Sequence, residues 1–145
     1  MMEMQHDKFH GYRLSNGECF VSLISTYIRK TQYELPLRLD LREHSPTGFE
    51  WGYGGSGPSQ LALAMLAYAT DDETALDLYQ LFKQACVSRL PASRWKVRID
   101  DVRNWAADPS PRGWRSYPRS REKGYFAVIP PSNNNQKEKT DEQKP

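Results

Sequence analysis

Phe49-Glu50-Trp51-Gly52-Tyr53-Gly54-Gly55-Ser56-Gly57-Pro58, followed by Ser59-Gln60-Leu61-Ala62-Leu63-Ala64-Met65-Leu66-Ala67-Tyr68-Ala69, changes character twice in a short span. Phe49 to Tyr53 reads as a short aromatic strand. The four glycines and Ser56 between Trp51 and Pro58 read as a sharp loop, because glycine tolerates backbone angles and close approaches that a Cβ forbids. Pro58 suits a first helical position, where a missing N–H has no partner to lose. The helix expected from Ser59 to about Ala69 is apolar around nearly its whole circumference, so it must be central.

Outward from this helix, Thr70-Asp71-Asp72-Glu73 has the pattern of a capping box. A second helix over Asp71–Leu90 carries Ala75, Leu78, Tyr79, Phe82, Ala85 and Cys86 at spacings of three and four. It ends by Leu90-Pro91, and the two helices should form an antiparallel pair over a sheet. Arg94 to Ile99 alternates and reads as a strand. Asp100 or Asp101 then caps a short helix reaching Trp105. On the N-terminal side, Leu35 to Arg42 alternates apolar and polar residues as a half-buried strand does, with Pro36 marking an edge or an entry. His44-Ser45-Pro46-Thr47-Gly48 is a turn. Asn16-Gly17 lies where a tight hairpin turn needs positive φ, between arms at Gly11–Leu14 and Cys19–Ser25.

The expected fold class is therefore α+β. A small antiparallel β-sheet with an N-terminal hairpin packs against a two-helix hairpin, followed by a short C-terminal helix. Residues 1–10 form a flexible N-terminus, 11–107 a single domain, and 108–145 a tail that is basic and aromatic, then polar. From Pro130 onward the tail is too poor in apolar residues to offset an ordering entropy of roughly 1–2 kcal/mol per residue, so disorder is expected.

Size and charge narrow the function. A chain of 145 residues and 16.8 kDa holds one compact domain and excludes large multidomain enzymes. Mean hydropathy of -0.79 and ten prolines place part of it in water. Residues 1–107 carry 12 Lys and Arg against 13 Asp and Glu, and residues 108–145 carry 8 against 5. A near-neutral body argues against a dedicated duplex-binding domain, whose affinity comes from phosphate contacts. Cys19 and Cys86 show no zinc-site spacing and read as free thiols in a reducing compartment. The acid-containing N-terminus does not fit a signal peptide, and the longest apolar run is far short of a membrane span. The expected location is cytoplasmic, with no metal and no cofactor.

The stretch Phe49 to Ala64 resembles a family of small bacterial, plasmid and phage proteins of unknown function, the DUF6166 type. The similarity runs back through Leu37–Arg42 and His44–Gly48, and forward through Ala75, Leu78-Tyr79-Gln80, Phe82-Lys83, Arg89-Leu90-Pro91 and Trp95. It implies a small α+β domain of the accessory genome and brings no catalytic residues with it.

Three chemistries compete for the remaining motifs. Gly52, Gly54 and Gly57 satisfy G-x-G-x-x-G between a strand and a helix, where backbone N–H groups can hold a phosphate. With Gly55 and Ser56, and with Arg42 and His44 brought near, they form a candidate anion or nucleotide loop. The chain lacks a βαβ repeat, however, and Pro58 stands where a phosphate-binding lysine would be. Ser56 also approximates a nucleophile elbow, with His44 and Asp40 as base and orienter, in a chain too short for the usual hydrolase sheet. In the tail, Arg112, Trp114, Arg115, Tyr117, Arg119 and Arg121 interleave cations and rings, as protein-docking peptides and single-stranded nucleic-acid segments do. The favoured reading is a non-catalytic interaction module with a protein partner. It would bind a host or mobile-element macromolecule, with inhibition of a defence system as one conceivable role and nucleic acid reached through the tail. The alternatives are a phosphate or nucleotide binder and a small serine hydrolase.

Overall fold

The computed structural model describes residues 6–25, 32–110, 115–118 and 126–129, and its architecture is α+β. Strands β1 (Lys8–Arg13), β2 (Cys19–Ile24) and β3 (Gln32–Glu34) are followed by helices α1 (Ser56–Ala69) and α2 (Asp72–Ala85). A 3-10 turn at Val87–Arg89 leads to β4 (Arg94–Arg98), α3 (Ile99–Ala107), β5 (Arg115–Pro118) and β6 (Phe126–Ile129). The sheet order is β3-β2-β1-β4-β6-β5. The first four strands pair antiparallel, β6 joins β4 in parallel at Lys96 and Ala127, and β5 closes the edge antiparallel to β6. Apart from these last two strands and the stretch to Ser110, the expected disordered tail lies outside the described residues.

α1 is central, as its composition requires: twelve of its fourteen residues are buried. It packs along α2, and both join one core with Phe9, Val21 and Leu23 of the hairpin and Trp95 and Val97 of β4. α3 closes the same core through Val102 and Trp105, whose ring meets Phe82. Arg103 Nε donates to the carbonyl of Ala69 at 2.8 Å, supplying a partner to the last turn of α1.

β1 begins at Lys8, ahead of the expected Gly11. Of the two turn residues only Gly17 takes a positive φ, at 96°. The hairpin therefore closes through a longer loop, with Leu14 N–H on the Glu18 carbonyl, rather than through the two-residue turn that needs both residues positive.

Two expected strands are loops. Leu35 adds one backbone bond to β2, but Pro36 ends the pairing, and Arg38 at φ 60° turns the chain. Leu37 and Leu41 reach the core from a loop, while Leu39 stays exposed. Phe49 and Trp51 are buried in alternation, but their segment has no partner strand among the described residues. It is fixed by Trp51 Nε1 donating to the Ala92 carbonyl and by Gly52 N–H donating to the Val87 carbonyl.

Helix starts also shift. α1 opens at Ser56, with Gly55 as its N-cap and Pro58 in its third position, still within the turn whose N–H groups lack partners. The cap of α2 is Asp71, which accepts from Thr74 N–H at 2.8 Å. The Thr70 hydroxyl instead donates back to Leu66 at 2.6 Å, closing α1. α2 ends at Ala85, and α3 starts at Ile99 without a side-chain cap, so Asp100 and Asp101 occupy its first turn, where acids complement the helix dipole.

Candidate functional site

Side chains alternate across a strand, so each strand of the hairpin contributes to two faces. One face carries Phe9, Val21, Leu23, Trp95 and Val97, and the buried side chains of all three helices share their core. The opposite face has no described helix. The register sets it out in three rows. Arg94, Tyr12 and Phe20 lie side by side across β4, β1 and β2; Lys96, His10 and Ser22 form the next row; Arg98, Lys8 and Ile24 the third.

β1, β2 and β4 carry five cations and no acid. Arg13 turns inward, where it donates to Glu50 at 3.0 Å and to the Ala92 carbonyl and lies over the Trp51 ring. Lys8, Arg94, Lys96 and Arg98 occupy the outer face, Arg94 and Arg98 exposed and the two lysines half-buried. Burial first, and then the charges of Lys96 and Arg94, lower His10 to about 4, so its ring is neutral at pH 7 within a cationic field. Tyr12 and Phe20, both half-buried, stack with centroids 5.5 Å apart and planes 24° apart. His10 tilts against Tyr12 at 5.3 Å. Acids stand at the border: Glu34 beyond Ser22, and Asp7, which accepts from Lys8 at 3.4 Å. Rings set among cations can hold an anionic, planar ligand without reacting with it.

The glycine loop is built differently. Gly52, at φ 89°, makes the turn. A Cβ on Gly55 would meet the Tyr53 ring at 2.7 Å, and one on Gly57 would meet Glu50 Cβ at 2.6 Å, whereas Gly54 faces open space. The first turn of α1 thus packs on the stem of Glu50, whose carboxylate accepts from Arg13 and from the Trp51 N–H. Arg42 is exposed, and its contribution to this region is its carbonyl, which accepts from Gln60. His44 is directed to α2, its Nε2 2.8 Å from the Tyr79 hydroxyl.

These bonds bear equally on a serine nucleophile. Ser56 is exposed at the start of α1, but His44 is engaged by Tyr79, and Asp40 accepts two hydrogen bonds from Arg38, which also holds Asp72. The expected base and orienter are therefore both held by groups other than Ser56. Cys19 lies beside Glu50 and Arg13; burial, then Glu50, pushes its thiol up to about 11, so it stays protonated at neutral pH. Cys86 is free and buried.

Gln60 had no counterpart in the sequence reading. Fully buried on α1, it donates to the carbonyls of Leu37 and Arg42 and accepts from the N–H groups of His44 and Ser45, at 2.7–3.0 Å. A polar residue amid the apolar run was its one signal. The outer face also went unassigned, although Arg94-Trp95-Lys96-Val97-Arg98 shows a cation at every second position. Of the tail residues, Arg115 and Tyr117 lie on β5. The backbone register puts Tyr117 in the row that runs through Ala127, Lys96 and His10. Arg112, Trp114, Arg119 and Arg121 lie outside the described residues.

No described helix is long and apolar enough to cross a membrane. A family model described as a family of unknown function, DUF6166, matches residues 9–108. Searches of curated proteins and of solved structures returned no match.

Proposed function

The chain belongs to the DUF6166 family, and from that premise we propose that it is a non-catalytic module that binds a polyanionic macromolecule on the face of its sheet that carries no described helix. The observation that carries this reading is the segregation of charge. Four cations, Lys8, Arg94, Lys96 and Arg98, and no acid lie on the outer face of β1, β2 and β4, while α2 and α3 together carry five acids against two cations. A near-neutral body thereby presents one cationic face, and such a face attracts polyanions by an electrostatic, salt-sensitive term. The bacterial, mobile-element setting and the cytoplasmic location belong to this reading and rest on the resemblance of residues 49–64 and on the composition. The glycine loop is the weaker site, since Gly55 and Gly57 are accounted for by close packing on Tyr53 and on the stem of Glu50, and neither Arg42 nor His44 is directed to it by a described contact.

Retention on an immobilised sulfated polysaccharide tests the reading. Arg94→Gln with Arg98→Gln should elute at clearly lower salt than the parent chain. Arg42→Gln with Arg89→Gln removes the same charge from exposed positions off this face and should elute close to the parent. Equal loss in both double variants would show that net charge alone governs retention.

A further inference from the structure

We infer that the polyanion is a single strand of nucleic acid, its phosphates following β4 and its bases reaching across β1 and β2 to the Tyr12–Phe20 stack. This rests on the reading of the outer face given above and adds the identity of the occupant. Two features select a single strand. Residues at every second position of a strand are about 6.7 Å apart, so Arg94, Lys96 and Arg98 form a line of cations along one strand that an extended sugar–phosphate backbone can follow. The second feature is that Tyr12 is the direct neighbour of Arg94 on one side and of Phe20 on the other. A base leaving a phosphate on β4 therefore meets aromatic rings within one or two strand spacings, about 5–10 Å. A duplex keeps its base faces inside its own stack and offers this surface phosphates alone. An unpaired base offers a π-face as well, and stacking on aromatic side chains is sequence-tolerant.

The charges need no vacancy. Lys8, His10, Arg94 and Lys96 engage other groups of the chain, and what a polyanion responds to is their summed field. Neutral His10, in the middle row and tilted against Tyr12 of the first, adds a ring without adding a cation.

Fluorescence anisotropy on the full chain, with a labelled oligothymidine and with the same oligonucleotide annealed to oligoadenine, tests this occupant. The expected result is tighter binding of the single strand by about tenfold, with affinity falling as salt rises. Tyr12→Leu with Phe20→Leu keeps apolar bulk and removes both rings. That variant, shown by circular dichroism to be folded, should lose about tenfold or more in single-strand affinity while eluting from the polysaccharide column at unchanged salt. Equal affinity for duplex and single strand, or a leucine variant that binds oligothymidine as the parent does, would overturn the inference and leave the polyanion reading standing. Failure to bind both the oligonucleotide and the polysaccharide would overturn the reading itself.

Discussion

A methyl group on Gly11 would lie 2.2 Å from the Trp95 indole, directly across the β1–β4 ladder. Gly11 is therefore the place where the sheet admits a tryptophan to the core. Gly11→Ala should cost about 3 kcal/mol, the upper part of the range for overpacking, read as a lower denaturant midpoint. Adding Trp95→Phe should recover part of the loss, because the clashing indole atoms are removed. Gln60 acts in the opposite sense, by satisfying groups rather than by yielding space. Gln60→Leu keeps apolar volume but strands two N–H groups and two carbonyls of the loop, and about 3 kcal/mol or more should be lost in the same measurement. His10 gives a pH signature. Its folded value of about 4 lies below its ordinary 6.5, so the unfolded chain takes up the proton first. Its neutral state supports the fold fully above pH 6.5, and that support declines as pH falls from 6.5 to about 4. His10→Gln should reduce the slope of melting temperature against pH in this window. Asp40 is held low by Arg38, and Asp71 by the Thr74 N–H. In Glu50 the hydrogen bonds from Arg13 and Cys19 outweigh burial, so the losses from all three begin at lower pH.

Elements differ in how far their own residues determine them. α1 was legible because a helix apolar on every side has nowhere to go but the centre, and the hairpin because Asn-Gly separates two β-rich runs. Leu35–Arg42 was misread for a physical reason. Alternation shows which side chains turn inward, but a strand also needs a partner backbone, and Pro36 and the turn at Arg38 deny it one. What holds this loop is Gln60, 16–23 residues away along the chain, together with Arg38 reaching Asp72 at the start of α2. The glycine loop likewise has the spacing of a phosphate site, while its tight contacts are with Tyr53 and Glu50. Ser56→Ala should therefore leave stability within about 0.5 kcal/mol of the parent, as expected for an exposed position at a helix start that has no side-chain cap bond, and a chemical denaturation curve reads the difference.

At the scale of the whole molecule, net charge misleads. Residues 1–107 sum to about zero, yet the fold gathers cations on one side of the sheet and acids on α2 and α3. The alternating cations of Arg94–Arg98 were visible in the sequence; their neighbours were not. Each row unites residues around 8–12, 20–24 and 94–98, and only the strand order β2-β1-β4 brings them together. The most direct test is an amide chemical-shift titration of the full chain with oligothymidine. The largest changes should fall on β1, β2 and β4 around Tyr12, Phe20 and Lys96, with α2 unmoved. Changes centred on Gly52–Gly57, or on α2 with the sheet silent, would contradict the assignment of binding to this face.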